Sequence, residues 1–117
     1  DQDLTNEFIQ SGIINKFVMQ FELSWRLLKG VLVYEGIAKT SISSPRKVIE
    51  AAHVTYEFID ENLWLGMLAD RRQHEHAYDA ALAESLVTTI LESYLAAFEQ
   101  LLEGLEGLYN KEFLKTL

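Results

Sequence analysis

Apolar residues recur through the first third of the chain in alternating steps of four and three. Ile14, Val18, Phe21, Trp25, Leu28 and Leu32 make one seam, the spacing of a helix that faces partners. Phe17, Leu27 and Val31 widen the stripe, as in a bundle helix that touches more than one neighbour. The pattern predicts a helix from Leu4 to Glu35, roughly 48 Å long at 1.5 Å per residue. Gly36 follows as the C′ residue, where a left-handed backbone needs no Cβ. Gly12 and Gly30 lie inside this helix and read as tolerated, each at about 1 kcal/mol relative to Ala.

Ala38 to Ser44 is polar and aperiodic, hence a loop. Ser44-Pro45 starts a helix, with Ser as N-cap and Pro at the first helical position. Val48, Ile49, Ala52 and Tyr56 supply its buried face. Asp60 caps a third helix with Leu63, Trp64, Met67 and Leu68 inward. Asp79 caps a last long helix in which Val87, Leu91, Tyr94, Phe98, Leu101, Leu105 and Leu108 keep the four-three rhythm. Gly104 and Gly107 suggest fraying near its end, and Tyr109 to Leu117 an extra turn. No stretch alternates with period two and no hairpin dipeptide occurs. The expectation is an all-α, up-and-down, four-helix-bundle-like fold of two long and two short helices, one domain over residues 1–117.

Composition narrows the function classes. With 117 residues, 49% of them apolar, the chain can bury one core without staples. It has no Cys, so thiol nucleophiles, disulfides and Cys-based zinc sites are excluded. The absence of Cys fits a cytoplasmic, reducing setting. No apolar run approaches the roughly 20 residues of a membrane span, and no signal peptide is expected to open the chain. Ten Lys and Arg against 18 Asp and Glu give a net charge of −8. A protein this acidic lacks the electrostatic footprint of a general nucleic-acid binder. RNA could be handled only at a small local site.

Between the third and fourth helices runs Asp70-Arg71-Arg72-Gln73-His74-Glu75-His76-Ala77-Tyr78-Asp79, the stretch richest in groups that do chemistry. His74 and His76 would lie about 200° apart on a helix and could not grip one ion. Glu50-x-x-His53 has the spacing of a di-iron ligand pair, but such a site needs a second copy, so no metal is expected. No phosphate loop or nucleophile elbow is present either. Arg71, His76 and Tyr78 remain. An imidazole can move a proton at a 2′-hydroxyl or leaving oxygen while a guanidinium steadies the charge growing on phosphate. On an unbroken helix Arg71 and Tyr78 share a face and His76 points about 140° away. Convergence therefore needs the helix to end near residues 74–76, or a second protomer. The competing reading is a solvated helix end, where Arg and His suit the negative end of the dipole.

The run Arg71-x4-His76-x-Tyr78-Asp79 resembles the signature of the HEPN (higher eukaryote and prokaryote nucleotide-binding) superfamily. More closely, it resembles the branch of nucleotidyltransferase substrate-binding, or HepT-like, proteins. The likeness extends to Phe21-Glu22-Leu23-Ser24-Trp25, Leu27-Leu28-Lys29, Tyr34-Glu35-Gly36, Ser44-Pro45-Arg46 and Trp64 to Asp70, covering about residues 14–98. It implies a homodimer whose signature residues face a cleft between protomers, and a small nucleotidyltransferase encoded nearby as partner. ATP or another nucleotide would come through that partner, the chain itself holding no cofactor. The resemblance also implies an alternative, a metal-independent RNase toxin of a toxin–antitoxin pair. There Arg71 and His76 would cut RNA, and adenylylation of Tyr78 by the partner would silence the activity. Arg72, His74 and Asp79 would support the site. Arg72 stands where the family commonly has Asn or another small polar residue, and Glu75 where it often has Ser or Thr. Glu75 would repel phosphate, which favours the partner role over the RNase. A third expectation is a purely structural bundle.

Overall fold

The computed structural model describes residues 4–72 and 79–117. Helix α1 spans Glu7–Tyr34, α2 Pro45–Thr55, α3 Glu61–Asp70, α4 Ala80–Thr89, α5 Leu95–Leu108 and α6 Lys111–Leu114. A 3-10 turn (Lys39–Ile42) precedes α2, and a π turn (Ile90–Tyr94) joins α4 to α5. There is no strand among the described residues. α1 packs against α2, α4 and α5, and α2 packs against α3, giving the all-α bundle that the periodicity predicts.

Local chemistry sets the helix ends. Asn6, not Leu4, caps α1: its side-chain oxygen accepts from the N–H groups of Phe8 and Ile9 at 2.8 and 3.3 Å. At the other end Gly36 has φ +101°. The Gly36 N–H donates to the Val33 carbonyl and the Ile37 N–H to that of Leu32, both at 3.0 Å. These two bonds form a Schellman ending. Ser44 accepts from the Lys47 N–H at 3.3 Å with Pro45 at the first helical position. Asp60 likewise accepts from the Leu63 N–H at 3.2 Å. Each cap satisfies a donor that a helix start leaves without an intrahelical acceptor.

The buried seam of α1 is rotated from the expected one. It runs through Gln10, Ile14, Phe17, Phe21, Ser24, Leu28 and Val31, with Leu32 at its edge, while Val18 and Trp25 are half-buried on its flank. Ser24 hides the true phase, because its hydroxyl satisfies itself on the Gln20 carbonyl at 2.7 Å and needs no water. Phe17, Phe21, Trp64, Tyr94 and Phe98 form the aromatic centre of the core. Phe17 stacks on Tyr94 with ring centroids 5.2 Å apart, and Trp64 meets Phe98 edge-on at 5.8 Å.

The last long helix departs from the expected pattern in a similar way. Leu91 and Leu108, predicted inward, are 43% and 61% exposed, whereas Ile90 is buried. Leu86, Ile90, Tyr94 and Phe98 are all buried at successive steps of four. In an α-helix each such step drifts by about 40°. The π turn, closed by the Leu95 N–H on the Ile90 carbonyl, absorbs the drift because its wider turn takes more residues. Gly104 is not a fraying point. It lies within α5 under the Phe58 ring, where a Cβ would overlap that ring. Gly30 is a close contact as well, 3.3 Å from the Leu117 side chain for a built Cβ, whereas Gly12 faces open space.

Ala80–Leu108 is also long and apolar enough, by length and composition alone, to cross a membrane, with a window of mean hydropathy 1.3 that is 33% buried. That differs from the sequence expectation, and its cause is visible. Apolar residues line the buried face and also an outer strip of Leu91, Leu95 and Leu102. On α1, Met19 and Leu23 are exposed as well. Leu23 and Leu102 border one groove of about 220 Å³ with Leu27 and Phe98 between them.

Candidate functional site

The candidate run leaves the bundle at the end of α3, and its first residues are firmly held. Trp64 and Met67 bury one face of this short helix. The chain then presents Asp70 and Arg71 toward two different partners. Asp70 accepts a hydrogen bond from the Tyr94 hydroxyl at 2.5 Å. Tyr94 reaches it from the π turn, and the small Gly66 leaves room: a Cβ there would lie 3.2 Å from that hydroxyl. Burial, the hydrogen bond to Asp70 and the nearby negative charge, in that order, push the Tyr94 phenol well above its ordinary value of 10.0.

Arg71 turns toward α1. Its Nη1 donates to Glu22 Oε1 at 2.5 Å, and its guanidinium lies over the Phe21 ring at 5.7 Å from the centroid. The second oxygen of Glu22 accepts from Trp25 Nε1 at 2.9 Å and lies 3.9 Å from Arg26 Nη2. One carboxylate on α1 thus gathers donors from its own next turn and from a residue 49 positions away. Both members of the Glu22–Arg71 pair are half-buried, with side chains 30% and 26% exposed. The pair orients the guanidinium.

Of the other predicted residues, Arg72 is exposed, and Asp79 is the N-cap of α4. Its Oδ1 accepts from the Ala81 and Leu82 N–H groups at 3.0 and 3.2 Å. The two ends of the run are therefore fixed by α3 and α4. His74, His76 and Tyr78 lie outside the described residues, as does Glu75. Glu22, Asp70, Tyr94 and Trp25 are the site neighbours that spacing did not single out.

His53 behaves as a helix-face histidine. Its Nδ1 lies 3.1 Å from the Ile59 carbonyl, so the Nδ1–H tautomer donates there. Among the described residues no group of three or more His, Asp or Glu is placed to hold a metal ion.

A second polar chain fastens the far end of the bundle. The Tyr56 hydroxyl lies 2.7 Å from that of Tyr109, and Tyr109 donates to Glu35 Oε2 at 2.8 Å. Burial raises both phenols above their ordinary value; for Tyr109 the hydrogen bonds to Tyr56 and Glu35 add to it. Nearby, a groove of about 940 Å³ opens between the end of α2 and α5, bordered by Phe58 and Gly104. Glu57, Asp60 and Glu103 rim it, the wrong sign for a nucleotide phosphate. Arg71, by contrast, is a half-buried cation with a carboxylate partner and an aromatic floor.

Residues 1–107 match the family described as nucleotidyltransferase substrate binding protein like. No curated protein matches the chain.

Proposed function

Since this chain belongs to the nucleotidyltransferase substrate-binding protein-like family, we propose that it is the HEPN-type partner subunit of a small nucleotidyltransferase encoded nearby, acting in the cytoplasm. In this reading two copies pair, and Arg71, His76 and Tyr78 of the signature line the cleft between them. Arg71 binds a phosphate of the nucleotide or substrate that the partner handles, His76 holds or moves a proton beside it, and Tyr78 faces the nucleotide. The observation that carries the reading is the family match over nearly the whole chain, joined to a signature arginine anchored at the end of α3. Arg71 already shares its charge with Glu22, which favours binding and presentation over the alternative, an RNase in which Arg71 and His76 cut RNA and Tyr78 is adenylylated. A free guanidinium would serve phosphate cleavage better.

Co-expression with the neighbouring nucleotidyltransferase should give a stoichiometric complex that survives gel filtration at physiological salt. Chains that elute free of each other would refute the partner role. Incubating that complex with ATP separates the two roles of Tyr78. Adenylate mass on Tyr78, lost in Tyr78→Phe, together with RNA cleavage in chelator that needs His76, would select the toxin reading.

The outer apolar strip supports the pairing. Leu23 and Leu102 are 57% and 51% exposed on one groove, and a helix apolar on two faces has a second face to cover. Leu23→Glu combined with Leu102→Glu places two carboxylates on that strip. The variant should run as a monomer by light scattering at micromolar concentration, with its helical circular dichroism intact. A dimer that persists would assign pairing to another face.

A further inference from the structure

We propose that Glu22 is an internal stand-in for a phosphate group, and that a nucleotide phosphate binds this protein by displacing the Glu22 carboxylate from Arg71. The inference rests on the reading of Arg71 as a phosphate-facing residue and adds how that site is regulated. Both Glu22 oxygens are engaged: Oε1 by Arg71 at 2.5 Å, Oε2 by the Trp25 indole N–H at 2.9 Å, with Arg26 at 3.9 Å. Two donors, one of them cationic, hold the oxyanion, and a second guanidinium lies 3.9 Å away. Phosphate oxygens take the same guanidinium fork and the same N–H donors as a carboxylate does.

The anion in that position is also replaceable. It hangs from an α1 side chain that is 30% exposed, and Arg71 is 26% exposed. A pair this open to water is held weakly enough to exchange. The two hydrogen-bond donors, Arg71 and Trp25, are by contrast half-buried and held by the fold, whereas Arg26 is exposed. Arg71 follows the Trp64–Met67 face of α3 and lies over Phe21, while Trp25 and Arg26 sit one turn along α1 from Glu22. When Glu22 swings toward solvent, a phosphate meets the same cradle with no rearrangement of the helices. In a chain of net charge −8 the latch offsets part of the positive charge at Arg71 until a ligand of sufficient charge arrives.

The test is titration of AMP, and separately of inorganic phosphate, into the full chain, followed by calorimetry and by the NMR signals of the arginine side chains. Glu22→Gln removes the competing charge, and Glu22→Asp shortens its reach by one methylene while keeping the charge and the helix. Both should bind AMP roughly threefold to tenfold more tightly than the parent, the gain expected when a competing state is removed. Arg71→Gln should abolish binding in either background. Unchanged or weaker binding in both Glu22 variants, with Arg71→Gln still abolishing it, would make Glu22 an orienting residue and overturn the latch while leaving the phosphate-facing reading intact. Binding that ignores Arg71→Gln, or no binding in any variant, would remove that reading and the latch together. Tightening for inorganic phosphate equal to that for AMP places the selectivity at the phosphate, and a gain confined to AMP places it at the nucleoside; either supports displacement.

Discussion

Trp64→Ala should cost about 3–5 kcal/mol of stability and lower the thermal midpoint by roughly 10–20 °C. Trp64 is only 1% exposed. Its ring lies 6.2 Å from Phe21 of α1 and meets Phe98 of α5 edge-on at 5.8 Å, with planes 79° apart. Removing it leaves a cavity between three helices and deletes two aromatic pairs, each worth about 0.5–1.5 kcal/mol beyond the area buried. α3 has ten residues, too few to be stable without packing, so its register against α1 depends on Trp64 and Met67. Arg71 comes seven residues after Trp64, two turns along the same side. The variant should therefore also loosen the Glu22–Arg71 contact. Urea unfolding followed by circular dichroism measures the loss, and Trp64→Phe should recover most of it. A loss under about 1 kcal/mol would mean that the core collapses around the gap and that α3 is held from elsewhere.

How much of this was legible in the sequence depends on how far each interaction reaches along the chain. The caps at Ser44, Asp60 and Asp79 and the glycine at Gly36 were readable because donor and acceptor lie within about three residues of one another. Asn6 was readable on the same ground: an amide side chain just before the first periodic residues is a better start than Leu4. The phase of α1 was not. Apolar residues occupy much of its circumference, and Trp25 looks more buried than Ser24 until the hydroxyl is seen to bond to its own helix. Leu91 was misplaced because a fixed 100° per residue has no room for a π turn. Gly104 looked like a weak point, since nothing near it in the sequence announces the Phe58 ring. The site divides along the same line. Arg71 and Asp79 could be named from spacing and family likeness, whereas Glu22, 49 residues from Arg71, and Tyr94, 24 residues from Asp70, become neighbours only through packing. An acidic residue on the flank of the α1 seam was the available signal for Glu22. A tyrosine in an otherwise aliphatic stripe was the signal for Tyr94, because a buried phenol needs an acceptor.

Tyr94→Phe tests that last connection with one oxygen. The ring keeps its stack on Phe17, so the change isolates the hydroxyl and its bond to Asp70. At neutral pH the cost should be about 1.5–3 kcal/mol, the worth of a hydrogen bond to a charged group. At alkaline pH the variant should behave differently again. In the folded protein Tyr94 holds its proton beyond the ordinary value of 10.0 because of burial first and Asp70 second, whereas the unfolded chain gives the proton up near 10. Above that pH the unfolded state binds fewer protons than the folded state, so stability falls as pH rises. The contribution is present in full below about pH 10 and is lost progressively above it. Tyr94→Phe should flatten this alkaline decline by one group, while Tyr109, raised by burial and by its bonds to Tyr56 and Glu35, and Tyr56, raised by burial, sustain the remainder. Tyr109→Phe is the matched control, since it removes a second alkaline contribution and leaves the Asp70–Tyr94 bond in place. Only Tyr94→Phe should also weaken AMP binding, because Asp70 immediately precedes Arg71 and its bond to the π turn fixes where the guanidinium starts. Equal stability at pH 7 and an unchanged slope above pH 10 would show that Asp70 and Tyr94 do not meet in solution. The Glu22–Arg71 pair would then still tie the end of α3 to α1.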